Sequence, residues 1–344
     1  MANKTKKRIF YFDELRALAI LCVILCHTSN IYEHHTFTSI KVAIPGVLYI
    51  LTHIAVPIFF MLSGALLLNR KYDLREFFKK RFSRILYPFI FWVIVAIVVS
   101  LFVLHSGMGD AYKIFVGKNR WTWFVWVMIG VYLILPVVNS FIKEYGLKGA
   151  EYFLAVWFVT IILQTIGKYP FHRLEISYFA GYVGYVVLGY YLANKDFKLS
   201  DRKMIILGAL LFVVFILVDL FVYAKNIPNI ETKYLSLFIV LASIGVFLMF
   251  RYYNHYCEAN TTSKLSKLHQ KIEKGKVGAI IFSLSACSYG MYLLNSLLVK
   301  FVKFFDLSSV KWIPVLFVVV TLLSWLIVKI VSKIPFLGKF SGAA

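Results

Sequence analysis

The first apolar segment of the chain carries the residues best suited to chemistry, Arg16 and His27, with Asp13 one helical turn before the arginine. Eleven helical steps return to within about 20° of the same face and advance about 16 Å along the axis. A neutral imidazole can take the proton of an attacking hydroxyl as a general base, or attack an electrophile itself. An arginine can hold an anionic reactant, and Asp13 is spaced to pair with it. We therefore predict a catalytic group formed by His27, Arg16 and Asp13.

A second candidate group is the basic stretch 69–84, which carries seven of the 38 lysines and arginines. Arg81 and Arg84 stand at i and i+3, so a helix places their guanidinium groups side by side. Arginine binds phosphate through two parallel hydrogen bonds, which favours a phosphorylated ligand at this point. Membrane topology explains the other basic residues of the stretch about equally well.

Four further polar side chains lie within apolar segments. They are His53, Ser63, Tyr182 and Asn295. Polar groups are costly inside a membrane helix and usually face the interior of the bundle. We predict that these four side chains line the path of a substrate or donor. The same cost favours a functional role for His27 over that of a hydrogen-bonded core histidine.

The elements that position these residues follow from the composition. Of 344 residues, 60% are hydrophobic and 16% are charged, and the mean hydropathy is +0.77. Soluble domains average about 45–50% apolar and about 25% charged, so a soluble enzyme, a disordered chain and a disulfide scaffold are excluded. A closed barrel needs short alternating segments, whereas the apolar runs here are continuous for about 20 residues. We expect an all-α polytopic membrane bundle, with a single membrane domain over 1–344.

The apolar runs number about ten, which predicts about ten transmembrane helices. They cover 9–29, 44–68, 82–104, 121–140, 152–167, 174–193, 204–224, 233–251, 279–302 and 310–332. Alternate connecting segments carry 25 lysines and arginines on the side of the N-terminus and 11 on the other side. This bias predicts that both termini are cytoplasmic and that the protein is a multi-pass protein of the cell membrane.

The net charge of +22 is explained by cytoplasmic loops and by contact with anionic lipid, so nucleic acid is not an expected partner. The longest polar stretch, 252–276, is predicted to be a cytoplasmic basic loop. It is either a short helix on the membrane surface or a solvated linker. The four cysteines show no disulfide or metal-ligand spacing, so no metal is expected.

Five stretches together resemble the acyltransferase family 3 membrane proteins. The first, R-I-F-Y-F-D-E-L-R-A-L-A-I-L-C-V-I-L-C-H over 8–27, is similar to that family's first helix, which is marked by an arginine, ten residues and a histidine. The others are V-P-I-F-F-M-L-S-G over 56–64, K-K-R-F-S-R-I-L-Y-P over 79–88, W-F-V-W-V-M-I-G-V-Y-L-I-L-P over 123–136 and S-Y-G-M-Y-L-L-N over 288–295. The resemblance rests on all five stretches jointly, since any one alone is unspecific.

The resemblance implies transfer of an acyl group, commonly acetyl, from a cytosolic acyl-CoA to a hydroxyl of a cell-surface or lipid-linked carbohydrate. It implies a role for His27 in the transfer and places Arg16, Arg81 and Arg84 near the donor, with no bound cofactor. Many members end the last motif in a histidine where this chain has Asn295. Some members also fuse an extracytoplasmic esterase-like domain. This chain is expected to lack one, and so to finish the transfer itself or to hand the group to a separate partner.

Two alternatives stay open. His27 can act as a general base, or it can carry the acyl group for a time as a nucleophile. The same architecture also suits a transporter or exporter of a polysaccharide or lipid-linked sugar. Such proteins favour paired helix breaks in two related halves, and Pro57 and Pro136 have no matching partners in the sequence.

Overall fold

The computed structural model describes residues 8–30, 40–103, 122–166, 179, 181–225, 227, 230, 233–302 and 309–343. Within these ranges the chain forms eleven α-helices and no strand, as the composition predicts. The helices are α1 (Phe10–Ser29), α2 (Ile40–Thr52), α3 (Ala55–Leu67), α4 (Leu74–Phe102), α5 (Trp123–Thr165), α6 (Val183–Asn194), α7 (Asp201–Lys225), α8 (Leu237–Ala259), α9 (Lys264–Lys274), α10 (Lys276–Val302) and α11 (Ile313–Lys333).

Seven stretches of the described chain are long and apolar enough to cross a membrane. They are Ala43–Leu67, Leu74–Phe102, Trp123–Thr165, Asp201–Lys225, Leu237–Ala259, Lys276–Phe301 and Val310–Lys333. The protein is therefore a multi-pass integral membrane protein. The sequence predicted about ten spans. α1 is not among the seven because it carries Asp13, Glu14 and Arg16, and α6 has only 12 residues. Residues 174–178 of the sixth predicted run lie outside the described ranges.

The 43-residue helix α5 reverses direction at Gly146, whose φ of 58° and ψ of −136° are not helical. Only glycine adopts this conformation at little cost. The rings of Phe141 and Tyr152 lie 6.3 Å apart, whereas eleven residues of a continuous helix would separate them by about 16 Å. Residues 123–145 and 147–165 therefore form a helical hairpin, in agreement with the two separate apolar runs in the sequence.

The second apolar run is broken into α2 and α3 at His53 and Ile54. Pro57 has no amide hydrogen to donate to the carbonyl of His53, which explains a break at this point. After the break, α3 packs very closely against α6. A Cβ atom on Gly64 would lie 1.7 Å from the carbonyl oxygen of Val186. The glycine that ends the motif 56–64 is thus required for the contact of two helix backbones.

α1 lies at the centre of the bundle, where it packs against α2, α3, α10 and α11. Leu15, Ala19, Ile20 and Ile24 are fully buried along it. Because α10 is its main partner, polar side chains of α1 can meet side chains that are some 270 residues away in the sequence. This pairing positions the candidate site.

The starts of α1, α4 and α10 meet at one end of the bundle, which we call the basic end because it contains Arg8, Arg81 and Arg84. The ring of Phe10 contacts that of His269 in α9 at 5.5 Å. The predicted basic loop 252–276 also lies at this end. It is mostly helical, because it consists of the last turns of α8 and the helix α9. Its placement on the cytoplasmic side of the membrane stays a prediction.

Candidate active site

His27 is held by Asn295 of α10. Its Nδ1 lies 2.6 Å from the Oδ1 of Asn295. The Asn295 amide nitrogen donates to the carbonyl oxygens of Met291 at 2.9 Å and Tyr292 at 2.7 Å, so its oxygen must face the imidazole. Nδ1 therefore donates, and Nε2 is the nitrogen that can accept a proton. The last predicted motif thus supplies the group that sets the histidine tautomer.

His27 faces a small cavity between five helices. The volume of this cavity is about 20 Å³. Its walls are apolar or aromatic apart from His27, Cys26, Thr52 and the tyrosine hydroxyls. The lining residues are Val23, Cys26, His27, Thr52, Ala55, Val56, Trp123, Phe124, Tyr234 and Tyr292. A cavity of this kind keeps bulk water away from a reacting imidazole.

His53 and Tyr182 stand next to this cavity without lining it. The ring of His53 is 1% exposed and lies edge-on to Tyr49 at 4.1 Å and Tyr234 at 4.7 Å. Within the described chain neither of its nitrogens has a hydrogen-bond partner. The ring of Tyr182 lies 5.7 Å from that of Trp123. Both residues support the aromatic wall of the cavity.

Arg16 and Asp13 form a second polar group on α1, and Arg16 lies about 16 Å from His27 along the helix axis. In this group Asp13 is paired differently from the prediction. Arg8 contacts both carboxylate oxygens of Asp13, at 2.6 and 2.7 Å. The hydroxyl of Ser285 donates to the same carboxylate at 2.6 Å, whereas Arg16 is 4.0 Å from it. The predicted Asp13–Arg16 pair is therefore only a loose contact, because Arg8, which precedes α1, reaches the carboxylate with a bidentate geometry.

Arg16 is held instead by Ser285, to whose hydroxyl its Nη1 donates at 3.2 Å. Its side chain keeps 27% of its surface exposed, compared with 5% for Asp13. Arg16 therefore retains donors that can reach a ligand. Asp13, enclosed by Arg8 and Ser285, anchors this end of α1 and is about 21 Å from His27 by helix rise.

The predicted donor residues converge on Tyr132 of α5. Its hydroxyl is hydrogen-bonded to Ser63 and lies within electrostatic range of Arg16, Arg81 and Arg84. Three guanidinium groups from α1 and α4 thus lie near one half-buried phenol. The structure brings these predicted residues together, although they are far apart in the sequence.

The guanidinium group of Arg81 retains a hydrogen-bond donor that a ligand could use. Among the described residues, its Nε and the nearby hydroxyl of Tyr72 are buried without a hydrogen-bond partner. The guanidinium group lies 6.0 Å from the ring of Phe77. Arg84 is exposed at the surface beside it. A buried donor without an acceptor costs about 1–3 kcal/mol, which an anionic ligand would recover.

Three residues of the site, Arg8, Tyr132 and Ser285, escape sequence reasoning, and so does the contact of the predicted residue Asn295 with His27. Arg8 precedes the helix and looks like a topology residue, and Ser285 is one of several serines in its segment. Tyr132 stands in the middle of an apolar run. A search for polar groups at mid-span would have found it, though not its contact with the arginines.

A bundle of membrane helices with a tautomer-fixed histidine beside a small cavity, and with Arg16, Arg81 and Arg84 (the arginine cluster) near Tyr132, has the groups of a membrane-bound group-transfer enzyme. The model of acyltransferase family 3, described as an acyltransferase domain, matches residues 9–329. The chain belongs to this family. Its membership favours the enzyme over the transporter that the architecture alone would allow.

The chain is also similar to a curated protein from a bacterium. The peptidoglycan O-acetyltransferase OatA of Listeria monocytogenes is 25% identical over 187 residues, which cover 50% of this chain and 27% of that protein. The chain thus matches about a quarter of the length of that relative. No solved structure matches the chain.

Proposed function

We propose that this protein is a membrane O-acetyltransferase that moves an acetyl group from acetyl-CoA to a hydroxyl of a cell-surface or lipid-linked carbohydrate. The observation that carries the proposal is the hydrogen bond from His27 to Asn295 beside a small cavity, on the helix that also holds Arg16 in the arginine cluster. The family supports acyl transfer. The name of the Listeria relative supports an acetyl group and a glycan acceptor.

The arginine cluster is the proposed binding site for the phosphates of the donor. Arg81 offers an unpartnered buried Nε, and Arg16 and Arg84 lie within electrostatic range of the Tyr132 hydroxyl. Arginine binds phosphate through paired hydrogen bonds, and burial strengthens the electrostatic attraction. The long thin arm of acetyl-CoA would then extend along α1 from this cluster toward His27.

At the other end of the arm, His27 acts on the acceptor hydroxyl. Its Nε2 takes the hydroxyl proton while the oxygen attacks the thioester carbonyl, and the CoA thiolate leaves and recovers the proton. In the alternative path, Nε2 attacks the carbonyl first and the CoA thiolate leaves, which gives an acetyl-histidine. The acceptor oxygen then takes the acetyl group, Nε2 leaves, and the hydroxyl proton passes to the thiolate. Both paths need the tautomer that Asn295 imposes. Incubation with labelled acetyl-CoA in the absence of acceptor distinguishes them, because only the second path leaves label on the protein.

The proposed orientation places the basic end and both termini in the cytoplasm, with about ten spans in total. The excess of lysine and arginine on this side supports it. Acetyl-CoA is a cytosolic compound, so its phosphates would meet the arginine cluster directly. The carbohydrate acceptor would reach His27 from the opposite side of the membrane.

Replacement of His27 tests the proposal. In membranes supplied with labelled acetyl-CoA, we expect His27→Ala to lower transfer to endogenous glycan about 10²- to 10⁴-fold, the range for loss of a general base. His255→Ala is the matched control, because that exposed imidazole pairs with Asp201 and lies beside the ring of Tyr252 rather than at the cavity. Normal transfer by a folded His27→Ala protein would remove the histidine from the mechanism.

A further inference from the structure

Helix α9 has a surface that the proposed reaction does not use. It is joined to α8 by residues 260–263 and to α10 by Gly275 alone. The hydroxyl of Ser263 accepts the amide of Ser266 at 3.0 Å and caps the helix. Because both connections are short, the eleven residues of α9 lie across the basic end, in contact with α8 and α10.

The face of α9 that packs on the protein is polar. Ser266 and His269 are 0% and 4% exposed. The Nε2 of His269 lies 3.2 Å from the amide nitrogen of Asn254 in α8, and its ring contacts Phe10 of α1. Burial lowers the pKa of His269, so the ring is neutral at pH 7. Specific polar contacts therefore fix which face of α9 points outward.

The outward face carries leucines beside lysines. Leu265 and Leu268 are 54% and 53% exposed. The apolar surface continues onto α10, where Val277 and Ile280 are 53% and 46% exposed. Four exposed lysines form an adjoining stripe at i, i+3, i+7 and i+10, namely Lys264, Lys267, Lys271 and Lys274.

This arrangement is the reverse of a helix that faces water, which would bury its leucines and expose its serine. An apolar strip next to a basic strip is typical of a helix in the plane of a membrane interface. The leucines enter the boundary between headgroups and acyl chains, and the lysine side chains extend to anionic phosphates. α10 leads directly from α9 into the membrane, so Val277 and Ile280 join the leucines to its lipid-facing surface.

We propose that α9 is an interfacial anchor that binds anionic phospholipid of the cytoplasmic leaflet through its four lysines, with Leu265 and Leu268 among the headgroups. The ligand is lipid rather than an acidic protein because the apolar strip continues onto the membrane-spanning helix α10. The anchor also fixes the start of α1, since His269 contacts Phe10. The inference is independent of the proposed acetyl transfer.

Lipid-dependent stability of the whole purified protein provides the first test. Thermal unfolding is measured in detergent with added phosphatidylglycerol or phosphatidylcholine. We expect phosphatidylglycerol to raise the midpoint more than phosphatidylcholine does. Replacing all four α9 lysines by glutamine should weaken the apparent affinity for phosphatidylglycerol about 10-fold or more. The matched control replaces four other exposed lysines by glutamine, Lys143, Lys148, Lys198 and Lys203, and should keep the wild-type response.

The position of the leucines provides the second test. Leu268→Cys is placed in nanodiscs containing phosphatidylglycerol and treated with a water-soluble maleimide, with the exposed Asn260→Cys as control and wild-type protein as background. We expect Leu268→Cys to react about tenfold more slowly than the control. Equal reactivity would leave the face open to a soluble acidic partner and would overturn the assignment. Equal stabilisation by the two lipids, or equal loss in both lysine variants, would also overturn it.

Discussion

The contact between His27 and Asn295 gives the sharpest prediction, because Asn295→Leu removes only the group that orients the imidazole. The variant loses the hydrogen bond that orients the half-buried imidazole, at a cost of about 1–3 kcal/mol. Each 1.36 kcal/mol on the barrier is about tenfold in rate, so kcat should fall about 10- to 100-fold. The KM for acetyl-CoA should not change, because Arg16 of the arginine cluster lies about 16 Å away along α1.

The assay is the initial rate of transfer from labelled acetyl-CoA by the reconstituted protein, with kcat and KM determined separately. Ser296→Ala is the matched control, since that hydroxyl donates only to the carbonyl of Leu293 in its own helix. Asn295→His should restore part of the rate because a ring nitrogen can accept the Nδ1 proton. A folded Asn295→Leu protein with wild-type kcat would refute the role of Asn295, and an effect on KM alone would place it in donor binding.

Three further variants test the arginine cluster and the packing that supports it. Arg81→Ala should raise the KM for acetyl-CoA about 10-fold or more, since hydrogen bonds to charged groups are worth about 1.5–3 kcal/mol. Replacement of the exposed Arg75 of the same helix by alanine should leave this KM unchanged. Equal effects of the two variants would argue against a specific phosphate site. Tyr132→Phe should raise the same KM by a smaller factor with kcat retained, and a fall in kcat alone would contradict this position for the phenol. Gly64→Ala should destabilise the protein by about 1–3 kcal/mol in thermal unfolding, because its Cβ would lie 1.7 Å from a backbone oxygen of α6. Gly130→Ala should be neutral, because no atom lies within 4 Å of the added Cβ. Equal stability of the two variants would contradict the packing.

Much of the bundle could be predicted because it depends on composition and helix geometry. Apolar runs of about 20 residues define membrane helices, and the eleven-residue spacing places Arg16 and His27 on one face of α1. The family was also recognised correctly from motifs distributed along the chain. The sequence indicates a helix break at Pro57, and the structure divides the second run just before it, at His53 and Ile54.

The pairing of side chains could not be predicted to the same extent, since it depends on which helices become neighbours. Asp13 is spaced to pair with Arg16, but Arg8 has the better geometry because its guanidinium group reaches both carboxylate oxygens. Asn295 meets His27 across 268 residues only because α10 packs against α1. Tyr132 joins the arginines for the same reason, through the packing of α5.

The proposed passage of an acetyl group from the arginine cluster to His27 is tested most directly by separating donor and acceptor. The protein is reconstituted in vesicles, and molecules with the basic end outside are selected by a tag at that end. Labelled acetyl-CoA is supplied outside and a glycan acceptor is sealed inside. The account predicts labelled ester on the enclosed glycan, and none with His27→Ala. Transfer only when the acceptor is on the same side as the acetyl-CoA would contradict it.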